Sequence, residues 1–317
     1  MRPRFAVGYV PDRRPGFIYG SPVSRLDRPG QLCDHSALFT TSRDLHAMTA
    51  PAARPFASPE RPKDRLIVAL DVDTRAEAMD FVRQLGDAVT FYKVGLQLFM
   101  ENGLNVVREL LAADKKVFLD LKIDDTPRTV KEAVRNIAVE GVEFFTLQGN
   151  ADTAKAAREG RGDKRFPRFL QVTFLSSWDA NDLREYLHIG AARKEGDKDF
   201  DLDERVVDRA RRILAAGSDG VIASGSSVQH LRQVFPDLLI VTPGIRPAGS
   251  TTDDHKRSLT PFDAIDAGSD YLVVGRPIRA SRDPAGTARQ IVEDIARGLE
   301  RRGPREPAEP SRASGSR

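Results

Sequence analysis

Between residues 64 and 302 one pattern recurs eight times: a short apolar run, a turn, then an amphipathic stretch. The runs are LIVALDV (66–72), VTFYKVG (89–95), KVFLDLK (116–122), FFTLQG (144–149), FLQVTFL (169–175), GVIAS (220–224), LLIVTPG (238–244) and YLVVG (271–275). They are rich in Val, Ile, Leu and Phe and lack polar alternation, as strands buried on both faces do. The stretches between them read as helices. Thr74 to Leu85 opens with a Thr cap and Glu77 three residues on, a capping-box pattern. Val130 to Glu140 puts Val130, Ala133, Val134, Ile137 and Ala138 on one face, and Glu204–Ala216 and Pro284–Leu299 behave alike. Eight strand–helix pairs in about 240 residues predict a single (β/α)8 TIM barrel, an α/β fold. An open doubly wound sheet needs a Gly-rich first turn, and ALDVDT has none.

The ends differ. Residues 1–62 are rich in Pro, Arg, Gly and Ser without periodicity and are predicted to be a disordered extension. Met48 is a plausible alternative start, and Asp12, Asp27, Asp34 and Asp44 spoil the acid-poor pattern of a transit peptide. The barrel is expected over 63–302, with a disordered tail over 303–317. Trp178 to Asp203 is an insertion after the fifth strand, with a short helix expected at Asp179–Leu187. It is either a solvated loop or a mobile loop over the active site.

Lys plus Arg (49) nearly balances Asp plus Glu (46), which leaves no electrostatic footprint for nucleic acid or membrane. No apolar run approaches the roughly 20 residues of a membrane span, and the N-terminus lacks a secretory apolar stretch. The one cysteine, Cys33, permits neither an intrachain disulfide nor a thiolate metal cluster. A soluble cytoplasmic protein is the expectation.

Ionisable residues at the ends of buried strands carry the functional signal, since the C-terminal strand ends of a barrel form its active site. Asp71 ends the first run and Lys93 the second; Asp120, Lys122 and Asp125 end the third; Arg276 follows the eighth. Asp120 and Lys122, two apart on a strand, point to the same face. Such neighbours hold a lysine protonated and carboxylates ionised, which disfavours a Schiff-base lysine and favours acid–base and electrostatic catalysis. VTPGIRPAG and VVGRPI follow strands 7 and 8, where barrel enzymes commonly build a phosphate site. Backbone N–H groups at Gly275 and Arg276, with Arg246 nearby, suit a phosphate dianion. There is no zinc motif, nucleophile elbow or Walker loop.

ALDV, FYKVGLQLF, FLDLKIDDTPRTV, VTFLSS, VTPGIRPAGSTTDDHKRSLTP and DYLVVGRPI, in that order, resemble the orotidine 5′-monophosphate decarboxylase family over about residues 64 to 300. The resemblance implies cofactor- and metal-independent decarboxylation of orotidine 5′-monophosphate to uridine 5′-monophosphate; the alternatives are a sugar-phosphate decarboxylase or epimerase on the same barrel, or a non-catalytic phosphate-binding barrel. It implies that Asp71 and Lys93 bind ribose hydroxyls, Asp120 faces the substrate carboxylate, and Lys122 protonates C6. Asp125 and Thr129 would reach into a second subunit of a homodimer with shared active sites. Ser176 would bond the pyrimidine amide, and Pro243, Arg246, His255, Gly275 and Arg276 would line the phosphate end. Three departures from the family pattern stand out: His255 for a common Gln, Thr146-Leu147-Gln148-Gly149 for Asn-Val-His-Ala, and Asp124 at a commonly uncharged position.

Overall fold

The structure, a computed structural model, describes residues 56–138, 140–175, 177–178, 180–186, 201–249 and 258–303. Each of the eight apolar runs coincides with a strand, β3 and β5 each reaching one residue beyond theirs: β1 Leu66–Ala69, β2 Phe91–Gly95, β3 Lys116–Ile123, β4 Phe144–Leu147, β5 Arg168–Val172, β6 Gly220–Ile222, β7 Leu239–Thr242 and β8 Tyr271–Val274. Every neighbouring pair is parallel, and β8 pairs with β1 (Leu66 opposite Leu272), so the sheet closes into a barrel. Closure rules out the open-sheet alternative.

Around the barrel lie α1 Arg75–Leu85, α2 Leu96–Asn102, α3 Leu104–Ala112, α4 Pro127–Ile137, α5 Ala151–Arg161, α6 Ala180–Tyr186, α7 Leu202–Ala215, α8 Ser227–Val234, α9 Pro261–Asp266, α10 Arg276–Arg279 and α11 Pro284–Arg302. The Thr74 hydroxyl caps α1 by accepting the Glu77 N–H at 3.2 Å. The Glu77 carboxylate accepts from Asp73 N–H, one residue earlier than a capping box requires. Helix α4 starts three residues before the expected Val130, because Pro127 is preorganised for the first turn. The insertion forms α6 where a short helix was expected, and residues 187–200 lie outside the described residues.

The strands are buried on both faces, and alternate residues serve two cores. Ile67, Phe91, Phe118, Phe144, Leu170, Val241, Tyr271 and Val273 fill the barrel interior. Leu66, Val68, Tyr92, Val94 and Leu119 face the helices instead. Burial raises the pKa of Tyr92 and Tyr271 far above the ordinary phenol value, so both stay neutral.

The floor of the barrel is aromatic. Phe144 and Tyr271 meet edge to face with centroids 5.0 Å apart, and Phe91 joins both at 5.3 and 5.9 Å. Residues 56–62, grouped with the extension by composition, touch this floor. Phe56 packs against Tyr271 with tilted rings and centroids 6.1 Å apart, and Ser58 donates to the buried carboxylate of Asp270 at 2.5 Å. The remainder of the predicted extensions, 1–55 and 304–317, lies outside the described residues.

Candidate active site

The charged residues gather at the opposite, C-terminal mouth. Asp71 sits two residues beyond β1. Lys93 lies at the centre of β2 rather than at its end. Asp120 and Lys122 lie in the second half of β3. Their side chains form one row of alternating charge. Lys93 Nζ is 2.9 Å from Asp71 Oδ1 and 3.6 Å from Asp120 Oδ2, and Lys122 Nζ is 2.8 Å from Asp120 Oδ1. The row sums to zero charge, the condition under which ions leave water at tolerable cost.

The two inner members are the most buried. Burial opposes the Lys93 ammonium, yet the carboxylates of Asp120 and Asp71 outweigh it and hold its pKa above the usual lysine value. Burial also pushes the Asp120 carboxyl up. Lys93, Lys122 and the Thr146 hydroxyl pull harder the other way and hold it below the usual carboxylate range. Both groups are therefore ionised at neutral pH.

Local backbone explains how Asp120 and Lys122 meet. Pairing of β3 with β4 is regular to Leu119 opposite Phe145 and resumes at Ile123 opposite Leu147, so β3 carries a bulge across Asp120–Lys122. Lys122 has φ +50°, a left-handed conformation that costs a non-glycine residue about 1–2 kcal/mol. Plain strand alternation, which places residues two apart on one face, is thus replaced by a kink that brings the ammonium back onto Asp120. Gly95, at the end of β2, is a second backbone requirement. A Cβ there would lie 2.9 Å from Lys93 Nζ and 3.2 Å from Asp71 Oδ1, pressing on the pair.

Beneath and beside the row is a cavity of about 220 Å3. Asp71, Lys93, Asp120 and Lys122 line one side. Pro243, Gly244, Arg246, Gly275 and Arg276, from the ends of β7 and β8, line another. Arg246 is buried, with its guanidinium donating to the Ile245 carbonyl at 2.9 Å. Phe118, Val172, Phe174, Leu175, Ile222 and Val273 form an apolar wall that sequence reasoning did not single out, because these residues read as ordinary core. Such a mix of apolar wall and convergent polar groups is what small-molecule sites share.

Asp125 and Thr129 do not join the cavity. Both are exposed at the start of α4, with Asp125 Oδ1 accepting the Thr126 N–H at 2.6 Å and the Thr126 and Thr129 hydroxyls 3.0 Å apart. Ser176 and His255 lie outside the described residues. Two of the departures from the family pattern prove to be neighbours. Thr153 donates to Asp124 at 3.3 Å, and a Cβ at Gly149 (φ +36°) would overlap both side chains, so glycine there leaves room for the added carboxylate. Among the described residues no group of three His, Cys, Asp or Glu side chains is placed to hold a metal ion, and no helix is long and apolar enough to cross a membrane.

A closed parallel barrel with paired lysines and carboxylates at its mouth, and arginines after its last two strands, has the architecture of a barrel enzyme with a small-molecule site. Comparison with known proteins narrows that class. The sequence model of the family described as "Orotidine 5'-phosphate decarboxylase / HUMPS family" matches residues 64–291. A protein of Afipia carboxidovorans named orotidine 5'-phosphate decarboxylase is 44% identical over 243 residues, covering 75% of this chain and 97% of that protein. A protein of the same name from a Bradyrhizobium species is 45% identical, covering 74% and 93%. The crystal structure of orotidine 5'-phosphate decarboxylase from Lactobacillus acidophilus superposes with a TM-score of 0.61 at 33% identity, covering 73% of this chain and 98% of that one. This chain belongs to the orotidine 5'-phosphate decarboxylase / HUMPS family and is an enzyme of the carboxy-lyase class.

Proposed function

We propose that this protein decarboxylates orotidine 5′-monophosphate to uridine 5′-monophosphate in pyrimidine biosynthesis, without metal or cofactor, and that residues 63–302 form the catalytic unit. The observation that carries the proposal is the neutral row Asp71–Lys93–Asp120–Lys122, which lines a cavity together with Arg246 and Arg276. In the reaction the C6–carboxylate bond breaks, its electron pair stays on C6, and CO2 leaves. The Lys122 ammonium gives its proton to C6, and solvent restores it.

The carbanion at C6 has little delocalisation, so fixed charge must stabilise the transition state. A preorganised ammonium aimed at the developing negative charge does this without reorganisation. Asp120 both faces the substrate carboxylate and, with Lys93, keeps the ammonium where the new charge forms. Asp71 and Lys93 bind the ribose hydroxyls, and Ser176, one residue beyond the cavity-lining Leu175, bonds the pyrimidine. Pro243, Arg246, His255, Gly275 and Arg276 form the phosphate end. Phosphate binding energy, remote from the bond that breaks, is then available for orientation and closure.

Asp125 and Thr129 complete the site of a partner in a homodimer. Their exposure outside this chain's own cavity supports that assignment. A cytoplasmic enzyme is the accompanying expectation.

The test is the ultraviolet absorbance of orotidine 5′-monophosphate in the presence of protein dialysed against EDTA. A rapid loss of absorbance that added magnesium does not increase is expected. A well-folded protein that leaves the absorbance unchanged, or turns over only with metal, would reject the proposal.

A further inference from the structure

Thr146 has no part in the chemistry above, and its neighbourhood is unusual. It stands in the middle of β4, opposite the bulge in β3, and is fully buried. Its Oγ1 accepts the Lys122 backbone N–H at 3.0 Å and donates to Asp120 Oδ1 at 2.9 Å. A bulge removes ladder partners from the strand that carries it, and a buried N–H without a partner is costly. Here a side chain from the facing strand takes the place of the missing carbonyl, at the one described strand residue that holds a positive φ without being glycine.

The second bond matters as much. Asp120 Oδ1 receives both Lys122 Nζ and the Thr146 hydroxyl, while Oδ2 faces Lys93. Two lysines on flexible stems do not by themselves fix the plane of a carboxylate. A hydroxyl on a β-branched side chain, stiff about χ1, does. One oxygen atom therefore ties the left-handed backbone of Lys122 to the carboxylate of Asp120.

We infer that Thr146 is a positioning residue for the Asp120–Lys122 pair, acting through its hydroxyl to hold the bulge and the carboxylate in register. Thr146 is not among the residues that line the cavity, and in this role it acts through Asp120 and Lys122 rather than by touching substrate. The inference deepens the decarboxylase proposal and rests on it for its kinetic consequence, though not for its structural one.

The experiment compares Thr146→Val, which keeps the shape and removes the hydroxyl, with Thr146→Ser, which keeps the hydroxyl and removes a methyl. Both are made in the full chain, with thermal melting as a check of folding. Losing a buried hydrogen bond to a charged group predicts a fall in kcat of about 10- to 100-fold for Thr146→Val, with KM within about 3-fold of wild type. Thr146→Ser should stay within about 3-fold of wild type in both constants.

A second readout needs no turnover: the exchange rate of the Lys122 amide hydrogen. It should rise at least about 10-fold in Thr146→Val and stay near the wild-type rate in Thr146→Ser. A Val variant with wild-type kcat, or a Ser variant that falls as far as Val, overturns the inference. Should the Val variant fail to fold, Thr146→Ala against Thr146→Ser makes the same comparison, and equal rates overturn it. A wild-type protein inert toward orotidine 5′-monophosphate refutes the decarboxylase proposal alone. Lys122 amide exchange then decides the positioning role: a hydroxyl-dependent rate upholds it and an unchanged rate overturns it.

Discussion

The two ends of this barrel are built from the same eight strands and have opposite characters. The floor is aromatic, with Phe91, Phe144 and Tyr271 in mutual contact and Phe56 against Tyr271. The mouth holds two carboxylates and two ammonium groups in a row, each within 3.6 Å of the next, and two of the four sit on a bulged strand with a left-handed lysine. Burying apolar rings stabilises a fold without regard to any ligand. Burying charges does so only when they are matched, and their arrangement answers to something else. The floor thus secures the barrel, and the mouth uses part of that stability to hold a reactive arrangement that would not assemble alone.

Variants at each end should separate these roles. The largest effect is expected at the mouth. Lys122→Ala should lower kcat by at least about 10^3-fold, because a preorganised charge and the proton donor are lost together. Its melting temperature should stay close to wild type, since the Lys122 side chain is 38% exposed. A near-normal rate would break the assignment.

At the floor, Phe144→Ala should cost about 3–5 kcal/mol of stability in denaturant unfolding. Its kcat per folded molecule should be nearly unchanged. A Phe144→Ala protein that is stable but inactive would erase the division between the two ends. Arg276→Ala should raise KM about 10- to 100-fold by removing a guanidinium–phosphate pair, with a smaller effect on kcat. Steady-state kinetics that do not change would move the phosphate site elsewhere.

The smallest effect is on pH dependence. The folded pKa of Asp120 lies below its unfolded value, so its stabilisation is present above a carboxyl pKa of about 4 and fades as pH falls through the lower, folded value. The folded pKa of Lys93 lies above its unfolded value, so its share is complete below about pH 10 and is lost as pH rises through the folded value. The difference in unfolding free energy between wild type and Asp120→Asn should therefore be flat across roughly pH 5–9 and shrink below about pH 4. A difference that grows in acid would contradict the ionised pair.

Much of this was legible from the chain alone, for local reasons. Strands buried on both faces leave uninterrupted runs of Val, Ile, Leu and Phe, and all eight were visible that way. Most strands are shorter than their runs, because the chain continues into loops that leave the sheet, and β3 alone is longer than its run. Asp71, Lys93, Asp120 and Lys122 stood out because a charge inside an apolar run has no place in a core unless another charge meets it. Arg246 and Arg276 stood out by their place after strands 7 and 8.

Thr146 did not stand out. A threonine in a strand is an ordinary β-former, and nothing near it in sequence reports the bulge across the sheet. Gly95 and the apolar wall of Phe118, Val172, Ile222 and Val273 were hidden likewise, being the residue types that turns and cores use everywhere. The seam between extension and barrel was also blurred. Phe56 and Ser58 sit in Pro-rich sequence, yet they find partners in Tyr271 and Asp270, more than 200 positions away.

The sequence by itself determined the number and order of the strands, and which strand ends carry charge. Those properties depend on periodicity and residue type within a dozen positions. Tertiary structure decided that β1 would pair with β8, that β3 would bulge opposite Thr146, and that charges from β2, β3 and the loop after β1 would meet in one row of ion pairs. Those outcomes depend on contacts between residues far apart in the chain, whose geometry exists only after the barrel has closed.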